Sequence, residues 1–274
     1  MKKLLGAIAA LAMTVGLAAC GTPANQGTTN PNQLVVGMEA GYPPFNWTQN
    51  DDSNGGVKIQ GTNQYAGGYD VEIAKLVAQK LGKELVIVKT EWDGLTPALI
   101  SGKIDAIIAG MSPTEERKAT IDFTDSYYDS QLVLVVKKGS KYENATSLSD
   151  FAGAKVTAQL NTFHYSVIDQ ITGVEKVTAM DNFPAMRVAL QAGTIDAYVS
   201  ELPEALSAQA ANSDFVMVKL TNGFQTSPED TQTAVGVRKD STLTKEINEA
   251  LKTISSEQRL EIMKNAIKNQ PAAE

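Results

Sequence analysis

Short apolar runs alternate with segments of helical periodicity from residue 34 to the end of the chain. The apolar runs predict buried strands, and the segments in which apolar residues recur on one face predict amphipathic helices. Alternating strands and helices are typical of an α/β fold with a mostly parallel sheet. The predicted strands cover residues 34–38, 85–88, 131–136, 155–158, 215–219 and 233–237.

The predicted helices are placed by their capping residues as well as by their periodicity. Asp70 is the expected N-cap of a helix that ends at Gly82, and Asn182 is the expected cap of a helix that runs to residue 192. Residues 50–64 are polar and rich in glycine, which predicts a loop or a wide hairpin. Further helices are predicted at residues 96–101, 163–171 and 203–211, with two more in residues 243–267.

One short sequence occurs twice in the chain. Residues 98–106 are ALISGKIDA and residues 189–197 are ALQAGTIDA, with six identities in nine positions at an offset of 91 residues (189 − 98). Each copy predicts a helix end, a tight turn at glycine and a buried strand, here residues 105–109 and 196–200. Ligands of open α/β sheets bind beyond the carboxyl ends of the strands, so two such lobes would face one cleft. The alternative is a chance similarity between two common helix–turn–strand segments.

The N-terminal residues differ from the rest of the chain. A short positive start, an apolar stretch through residue 19 and LAAC at residues 17–20 predict a signal peptide over residues 1–20. The end of this segment resembles the bacterial lipobox, which makes Cys20 the expected lipidation site. The alternative is an ordinary secretory signal with an incidental cysteine. Residues 21–33 are rich in Thr, Asn, Gln, Pro and Gly, which predicts a flexible tether.

The composition of the chain argues against several classes of function. The roughly 240 residues after the tether suffice for one large domain or two smaller ones. The net charge is −7 and no dense basic patch contains aromatic residues, so we expect no nucleic-acid partner. Cys20 is the only cysteine and His164 the only histidine, which argues against a disulfide framework and an ordinary zinc site. No Ser–His–Asp arrangement has a recognisable spacing, and we expect no metal, no cofactor and no later membrane span.

Aromatic residues follow two predicted strands in the first half of the chain. Tyr42 and Trp92 are expected to form flat apolar walls at the mouth of a cleft. The alternative is packing in the core or at its rim, and this is the role that we expect for Phe45.

The segment after the first repeat strand has the composition of a carboxylate site. Gly110 permits close backbone approach, Ser112 offers a hydroxyl, and Arg117 offers a planar fork for two parallel hydrogen bonds. Thr114 is positioned to cap a helix beginning near residue 115, where free backbone N–H groups favour an anion. The alternative is a capped helix with a solvated Arg117 paired to a glutamate.

A carboxylate and a polar loop are the candidates in the second half of the chain. Glu201 follows the second repeat strand and is suited to a ligand ammonium, whereas Asp105 and Asp196 are expected to serve the turns. In the loop 159–164, backbone amides and the hydroxyl of Thr162 are candidates for contact with an anion. In the same loop, His164 is expected to be a polar lining or surface residue rather than a proton-transfer group.

At these residues the chain resembles the family-3 extracellular solute-binding proteins of ABC transporters, the polar amino-acid binding proteins. The resemblance covers nearly all of residues 34–267. It rests on YPPF at 42–45, GYDVEIA at 68–74, WDGLTPALISGKIDA at 92–106, TEER at 114–117 and DFT at 122–124. The lipobox adds a resemblance to the lipid-tethered form of Gram-positive bacteria.

The resemblance implies a bilobed periplasmic-binding-protein type II fold of class α/β, with two Rossmann-like lobes joined by a two-strand hinge. Lobe I would comprise residues 34–129 and 231–274, and lobe II residues 130–230. Such a receptor would be a monomer, lipid-anchored to the extracellular face of the cytoplasmic membrane. An ABC permease and its ATPase would be its partners.

The resemblance also implies how a free L-amino acid would be held by its head group. Ser112 and Arg117 would bind the α-carboxylate, with Thr162 donating to it from lobe II. The carbonyl of Gly110 and the carboxylate of Glu201 would bind the α-ammonium.

For the ligand side chain, the resemblance implies a sandwich between Tyr42 and Trp92, with Glu39 facing the far end. Glu39 favours lysine or arginine, whose cationic group would also be attracted to the aromatic faces. Glutamine is the main alternative, because a carboxylate also accepts hydrogen bonds from an amide. The chain departs from the family pattern at Asn161, where glycine is usual, and at Glu201, where many members have aspartate.

Two other function classes are alternatives. An enzyme resembling cyclohexadienyl dehydratase, which shares this fold, would use Glu201 or His164 as a general acid. The intact amino-acid clamp favours a binding protein instead. A sensor or adhesin would need a separate partner, because the sequence contains no kinase or later transmembrane segment.

Overall fold

The computed structural model describes residues 30–271. The predicted signal peptide, Cys20 and residues 21–29 of the predicted tether lie outside the described residues. The strands within residues 30–271 are β1 (Gln33–Met38), β2 (Gly41–Tyr42), β3 (Asn46–Gln49), β4 (Val57–Lys58), β5 (Tyr65–Gly67), β6 (Glu84–Lys89), β7 (Ala106–Ile107), β8 (Asp122–Asp129), β9 (Leu132–Lys137), β10 (Lys155–Thr157), β11 (Glu175–Lys176), β12 (Ala197–Glu201), β13 (Phe215–Val218) and β14 (Gln232–Val237).

The helices cover the faces of the sheets, as the alternating pattern predicts. None of the helices within residues 30–271 combines the length and apolarity that crossing a membrane requires. The α-helices of residues 30–271 are α1 (Tyr69–Lys80), α2 (Trp92–Ile100), α3 (Glu115–Lys118), α4 (Phe163–Ser166), α5 (Phe183–Ala192), α6 (Leu202–Ala211), α7 (Leu243–Leu251) and α8 (Ser256–Asn269).

Two five-stranded sheets have the same topology. The first has the strand order β6-β1-β7-β14-β8 and the second has the order β11-β10-β12-β9-β13. In each sheet the first three strands are parallel, and the other two add antiparallel pairs. The sheets are therefore mixed rather than mostly parallel. We call the first sheet with its helices lobe I and the second sheet with its helices lobe II.

The repeated sequence is a structural repeat. Gly102 and Gly193 both adopt a left-handed backbone conformation, with φ of 77° and 74°. The two aspartates that follow do more than serve a turn. Asp105 accepts a hydrogen bond from the backbone N–H of Val35 at 3.1 Å, and Asp196 accepts one from Lys155 at 2.8 Å. Each aspartate thus ties its strand to the neighbouring strand of its own sheet, β1 or β10.

Central strands are buried on both faces, which explains their continuous apolar sequence. All five residues of β12 and the last five of β1 are buried. Helices cover both faces of such a sheet, so the strands cannot show the alternation of a half-exposed strand. Each fully buried Val, Leu or Ile contributes about 1.5–3 kcal/mol to folding.

Several predicted element boundaries are wrong. Gly68 rather than Asp70 is the N-cap of α1, and Asp70 is a buried residue of the first turn. Helix α2 begins at Trp92, earlier than the predicted residue 96. The segment predicted as one helix over 163–171 divides into α4 and a 3-10 turn, Val167–Gln170. Residues 50–64 include strand β4, which belongs to a small third sheet of order β2-β3-β5-β4.

The chain passes between the two sheets at two adjacent places. It leaves lobe I between β8 and β9 and returns between β13 and β14. The two crossings are joined where the N–H of Ser130 donates to the carbonyl of Thr231 at 2.8 Å. Such a paired connection is the geometry of a hinge between two rigid bodies.

Candidate functional site

A small cavity lies between the lobes, beyond the carboxyl ends of the two repeat strands. It encloses about 10 Å³, room for about one water molecule. Six of the eight predicted ligand-binding residues line it, and the other four lining residues come from lobe II. The lining consists of Tyr42, Trp92, Gly110, Ser112, Arg117, Gln159, Thr162, Phe163, His164 and Phe183.

Arg117 presents a cation to this cavity without a carboxylate partner. Its guanidinium donates to the carbonyls of Ser112 at 3.0 Å and Asn161 at 3.2 Å, and it lies 5.1 Å from the ring centre of Trp92. No carboxylate of residues 30–271 lies within 4.0 Å of it. Burial lowers the pKa of Arg117 to about 10, so the group is still charged at neutral pH. The short helix α3 that carries it is capped by Thr114, as predicted.

Gly110 is held in place by a buried hydrogen-bonded chain. Its N–H donates to the hydroxyl of Tyr127 at 3.1 Å, and that hydroxyl donates to Asp70 at 2.7 Å. Gly110 has a φ of 62°, and a Cβ atom there would lie 2.7 Å from the ring of Tyr42. Only glycine therefore fits at this position. The hydroxyl of Ser112, on the same segment, donates to the carbonyl of Asp230 at 2.8 Å.

Tyr42 is the centre of an aromatic stack that joins the lobes. Its ring lies between Phe45 at 4.9 Å and Phe183 of lobe II at 4.4 Å, and the planes of Tyr42 and Phe183 differ by only 17°. Phe45 is fully buried, in agreement with its expected packing role. Phe183 was missed by the sequence analysis, because nothing but its position after the cap Asn182 distinguishes it from any core phenylalanine.

Asn161 links the loop 159–164 to lobe I. It has a φ of 55°, a left-handed conformation that asparagine tolerates better than most residues. Its side chain donates to Asp93 at 2.8 Å, and its carbonyl accepts from Arg117 and from the indole of Trp92. Asn161, which stands where the family usually has glycine, therefore keeps a left-handed backbone conformation and adds a hydrogen bond between the lobes.

Glu39 lies outside the small cavity. It borders a neighbouring groove of about 480 Å³ that Lys89, Glu91 and Arg187 also line. The amide of Gln159 donates to both carboxylate oxygens of Glu39, at 3.3 and 3.2 Å. Burial raises the pKa of Glu39 to about 7, although the hydrogen bond from Gln159 acts in the opposite direction.

Thr162 and Gln159 form the lobe II edge of the cavity. The Thr162 hydroxyl donates to the carbonyl of Gln159 at 2.7 Å, which fixes the turn of the loop. Gln159 and Phe163 belong to the segment that the sequence analysis singled out, but they were not among its predicted site residues. Their side chains became recognisable as lining only through the packing of the lobes.

Glu201, like Glu39, is a predicted ligand-binding residue that is not among those lining the small cavity; it is fully buried at the end of β12, next to His164. The nearest atoms of the two side chains, His164 Nε2 and Glu201 Oε1, are 3.3 Å apart. Neither ring nitrogen and neither carboxylate oxygen makes a hydrogen bond within residues 30–271. Glu201 is also the N-cap residue of α6, where the helix dipole favours a negative charge.

The arrangement is suited to binding a zwitterion. Lobe I contributes a cation with spare hydrogen-bonding capacity, and lobe II contributes a carboxylate whose oxygens have no hydrogen-bond donor within residues 30–271. Over the same residues, no group of three or more His, Cys, Asp or Glu side chains is positioned to hold a metal ion.

Comparison with known proteins identifies what the chain is similar to. The profile of bacterial extracellular solute-binding proteins, family 3, matches residues 34–267. The arginine-binding extracellular protein ArtP of Bacillus subtilis is 29% identical over 269 residues, covering 96% of this chain and 97% of the relative. The ABC transporter glutamine-binding protein GlnH of the same organism is 31% identical, covering 99% of this chain and all of the relative.

Solved structures agree with this similarity. An amino acid ABC transporter substrate-binding protein from Streptococcus pneumoniae, bound to L-arginine, superposes with a TM-score of 0.76 at 28% identity. The match covers 86% of this chain and 94% of that structure. An ancestral arginine-binding protein bound to glutamine has a TM-score of 0.69 at 34% identity, covering 84% of this chain and 96% of that structure.

Proposed function

Because the chain belongs to the bacterial extracellular solute-binding proteins of family 3, we propose that it captures a free polar amino acid for an ABC importer. The family and the relatives named above are substrate-binding proteins and not enzymes, so the protein acts by binding. This excludes the dehydratase alternative. The permease and ATPase of the importer are the proposed partners.

The half-buried charge of Arg117, which has no carboxylate partner within residues 30–271, carries the proposal. A half-buried guanidinium whose hydrogen bonds within residues 30–271 go to carbonyl groups gains most from a carboxylate, which it can bind with two parallel hydrogen bonds. The α-carboxylate of an amino acid meets this requirement, and Ser112 and Thr162 lie beside it. The α-ammonium would then be held by Glu201 and the carbonyl of Gly110.

Capture requires the lobes to separate and close again. The cavity between the lobes is too small for an amino acid, and Phe183 stacks directly on Tyr42. The proposed moving bodies are residues 34–129 with 231–274 and residues 130–230. A ligand that contacts both lobes shifts the equilibrium by its preference for the closed form.

For the ligand side chain we favour lysine or arginine over glutamine. The side chain would pass Tyr42 and Trp92 toward Glu39, whose buried carboxylate gains a counter-ion from a cationic group. Relatives and similar structures include arginine-binding proteins and a glutamine-binding protein, which is consistent with either class. The lipobox at Cys20 would anchor the protein to the outer face of the cytoplasmic membrane.

Calorimetry with the twenty amino acids tests the proposal. We expect binding of lysine or arginine at micromolar concentration or below, about −8 kcal/mol or better, and weaker binding of glutamine. Tight binding of glutamine alone would favour the alternative ligand. Binding of none of the twenty would contradict the proposed function.

Arg117→Ala tests the carboxylate contact. Loss of a bidentate, charge-assisted pair at a buried site should abolish detectable binding of every amino acid, a loss of about 3 kcal/mol or more. The control is Lys118→Ala, which removes the neighbouring cation of α3 and should leave affinity unchanged. Unchanged affinity in the Arg117 variant would reject the assignment.

A further inference from the structure

His164 lines the cavity between the lobes but makes none of the ligand contacts proposed above. It is the only histidine of the chain, and its side chain is buried with 6% exposure. Its ring lies 4.2 Å from the ring of Phe163 and meets Phe183 edge to face at 6.5 Å. These two contacts hold the imidazole in one orientation, with Nε2 3.3 Å from the carboxylate of Glu201.

The ionised form of Glu201 requires a positive partner at this buried position. Its carboxylate is fully buried and neither oxygen accepts a hydrogen bond within residues 30–271. An unpaired buried carboxylate is costly, and the N-terminus of α6 compensates only part of that cost. Two groups can supply the missing positive charge, namely a protonated imidazole of His164 or the ammonium of a bound amino acid.

The other titratable groups near this pair are already engaged or lie on the opposite wall. Tyr42 and Arg117 face His164 across the cavity from lobe I, and the phenols of Tyr42 and Tyr128 interact with the charge of Glu201. Glu204 of α6 is bound by Arg187, Tyr198 and Ser200 of lobe II. Within residues 30–271, Nε2 of His164 is the only basic nitrogen within 4.0 Å of the carboxylate oxygens of Glu201.

The remaining carboxyl group near this pair belongs to lobe I. Asp70 accepts hydrogen bonds from Asn46 and Tyr127 and is therefore engaged. The charge of Asp70 interacts with that of Glu201. Within residues 30–271, no hydrogen bond or ion pair joins Asp70 to the imidazole of His164.

We propose that His164 is a further residue of the ligand site, whose protonated ring neutralises Glu201 until the α-ammonium of an amino acid replaces it. The inference rests on the proposed function. On binding, the imidazolium N–H bond breaks and its proton passes to solvent, while the ligand ammonium keeps its three hydrogens. Capture of the amino acid is therefore coupled to release of a proton.

This coupling sets the direction of the pH dependence. Protons compete with the ligand, because the protonated ring and the ammonium pair with the same carboxylate. Affinity should fall as the pH decreases, by up to about tenfold per pH unit where the ring of the ligand-free protein is protonated. The site thus distinguishes an α-amino acid from a carboxylic acid that lacks the ammonium, which would leave the pair of His164 and Glu201 intact.

Calorimetry in buffers of different ionisation enthalpy measures the released proton. In measurements at several pH values between about 5 and 8, the binding enthalpy of the full-length protein should vary with the buffer in the sense of proton release. His164→Asn keeps a polar side chain but cannot carry the charge, and the part of the release that comes from His164 should disappear. Glu261→Gln serves as the comparison, because Glu261 is exposed on α8 and does not line the cavity, so this variant should bind and release the proton as wild type does.

Nuclear magnetic resonance of the wild-type protein provides a measurement without substitution. A single histidine gives one set of ring nitrogen signals. At about pH 6.5, adding the amino acid should move these signals toward the neutral ring. Signals that stay unchanged or move toward the protonated form would overturn the inference even if His164→Asn fails to fold.

Failure of the inference and failure of the proposed function give different results. If no amino acid binds, the proposed function is wrong. If an amino acid binds with the same proton release in wild type and His164→Asn, or with none in wild type, only the role of His164 is wrong.

Discussion

Two buried carboxyl groups of lobe I hold protons that such groups ordinarily lose well below neutral pH. Burial raises the pKa of Glu39 and of Asp70 to about 7 in each case, and hydrogen bonds to each carboxyl act in the opposite direction. The folded state therefore binds these protons more tightly than the unfolded state. Their contribution to stability is fully present below the unfolded pKa and is lost as the pH rises through about 7.

Glu39→Gln should remove the Glu39 part of this pH dependence. The amide oxygen still accepts from Gln159 but never becomes charged. The quantity to compare is the free energy of unfolding of the variant minus that of wild type. This difference should be about 2–3 kcal/mol larger at about pH 8 than at about pH 4, because only wild type loses stability as Glu39 ionises. Urea unfolding at the two pH values measures the difference.

The control for this prediction is Glu261→Gln on the exposed surface of α8. Its stability relative to wild type should hardly change between the two pH values. An equal pH dependence in Glu39→Gln and wild type would contradict the proposed burial of a titrating Glu39.

Helix α5 is the element that brings an aromatic ring of lobe II onto Tyr42. Asn182 caps it by accepting from the N–H of Ala185 at 3.0 Å, Pro184 occupies its first turn, and Gly193 ends it in the left-handed conformation. The cap and the proline start the helix at Phe183 and the glycine ends it, and all three are local signals. The side chain of Phe183 is therefore positioned by the helix start rather than by the loop before it.

Asn182→Ala should destabilise this element. The N–H of Ala185 loses its acceptor, which costs about 1 kcal/mol of protein stability. Urea unfolding gives the loss directly. Asn182→Asp retains an acceptor and should remain close to wild type. Equal losses in the two variants would show that the cap is not the cause.

The closed arrangement of the whole molecule depends on a few polar bonds between the lobes. Gln159 donates to Glu39, Asn161 donates to Asp93, and Arg117 donates to the carbonyl of Asn161. Polar bonds of this kind contribute about 0.5–1.5 kcal/mol each, so each one shifts the balance between open and closed forms by a few-fold to tenfold. The balance is therefore sensitive to single substitutions in the loop 159–164.

Asn161→Gly should favour the open form. Glycine adopts the observed φ of 55° but lacks the side chain that bonds Asp93. We expect a larger radius of gyration by X-ray scattering without ligand, and an amino-acid affinity about threefold to tenfold weaker.

The matched control is Asn54→Gly. Asn54 has a φ of 54° in an exposed turn of lobe I, so the same change there should alter neither the radius of gyration nor the affinity. A ligand-free Asn161→Gly protein as compact as wild type would contradict the prediction.

The α/β class, most strands and helices, and the repeated segment of the two lobes could be predicted from the sequence. Local rules suffice for these features, because apolar runs, caps and left-handed glycines act over a few residues. Cap rules failed at Asp70, where burial against Asn46 and Tyr127 outweighs the preference for a helix end. The family resemblance, rather than spacing alone, named residues of both lobes for one site.

Which side chains meet between the lobes depends on tertiary packing and could not be predicted from the sequence. The stacking of Phe183 on Tyr42, the bond of Gln159 to Glu39 and the pairing of His164 with Glu201 each join distant segments. A pattern along one strand or helix contains no information about the partner on the opposing surface. Burial, which raises the pKa of Glu39, arises from packing between segments that are distant along the chain.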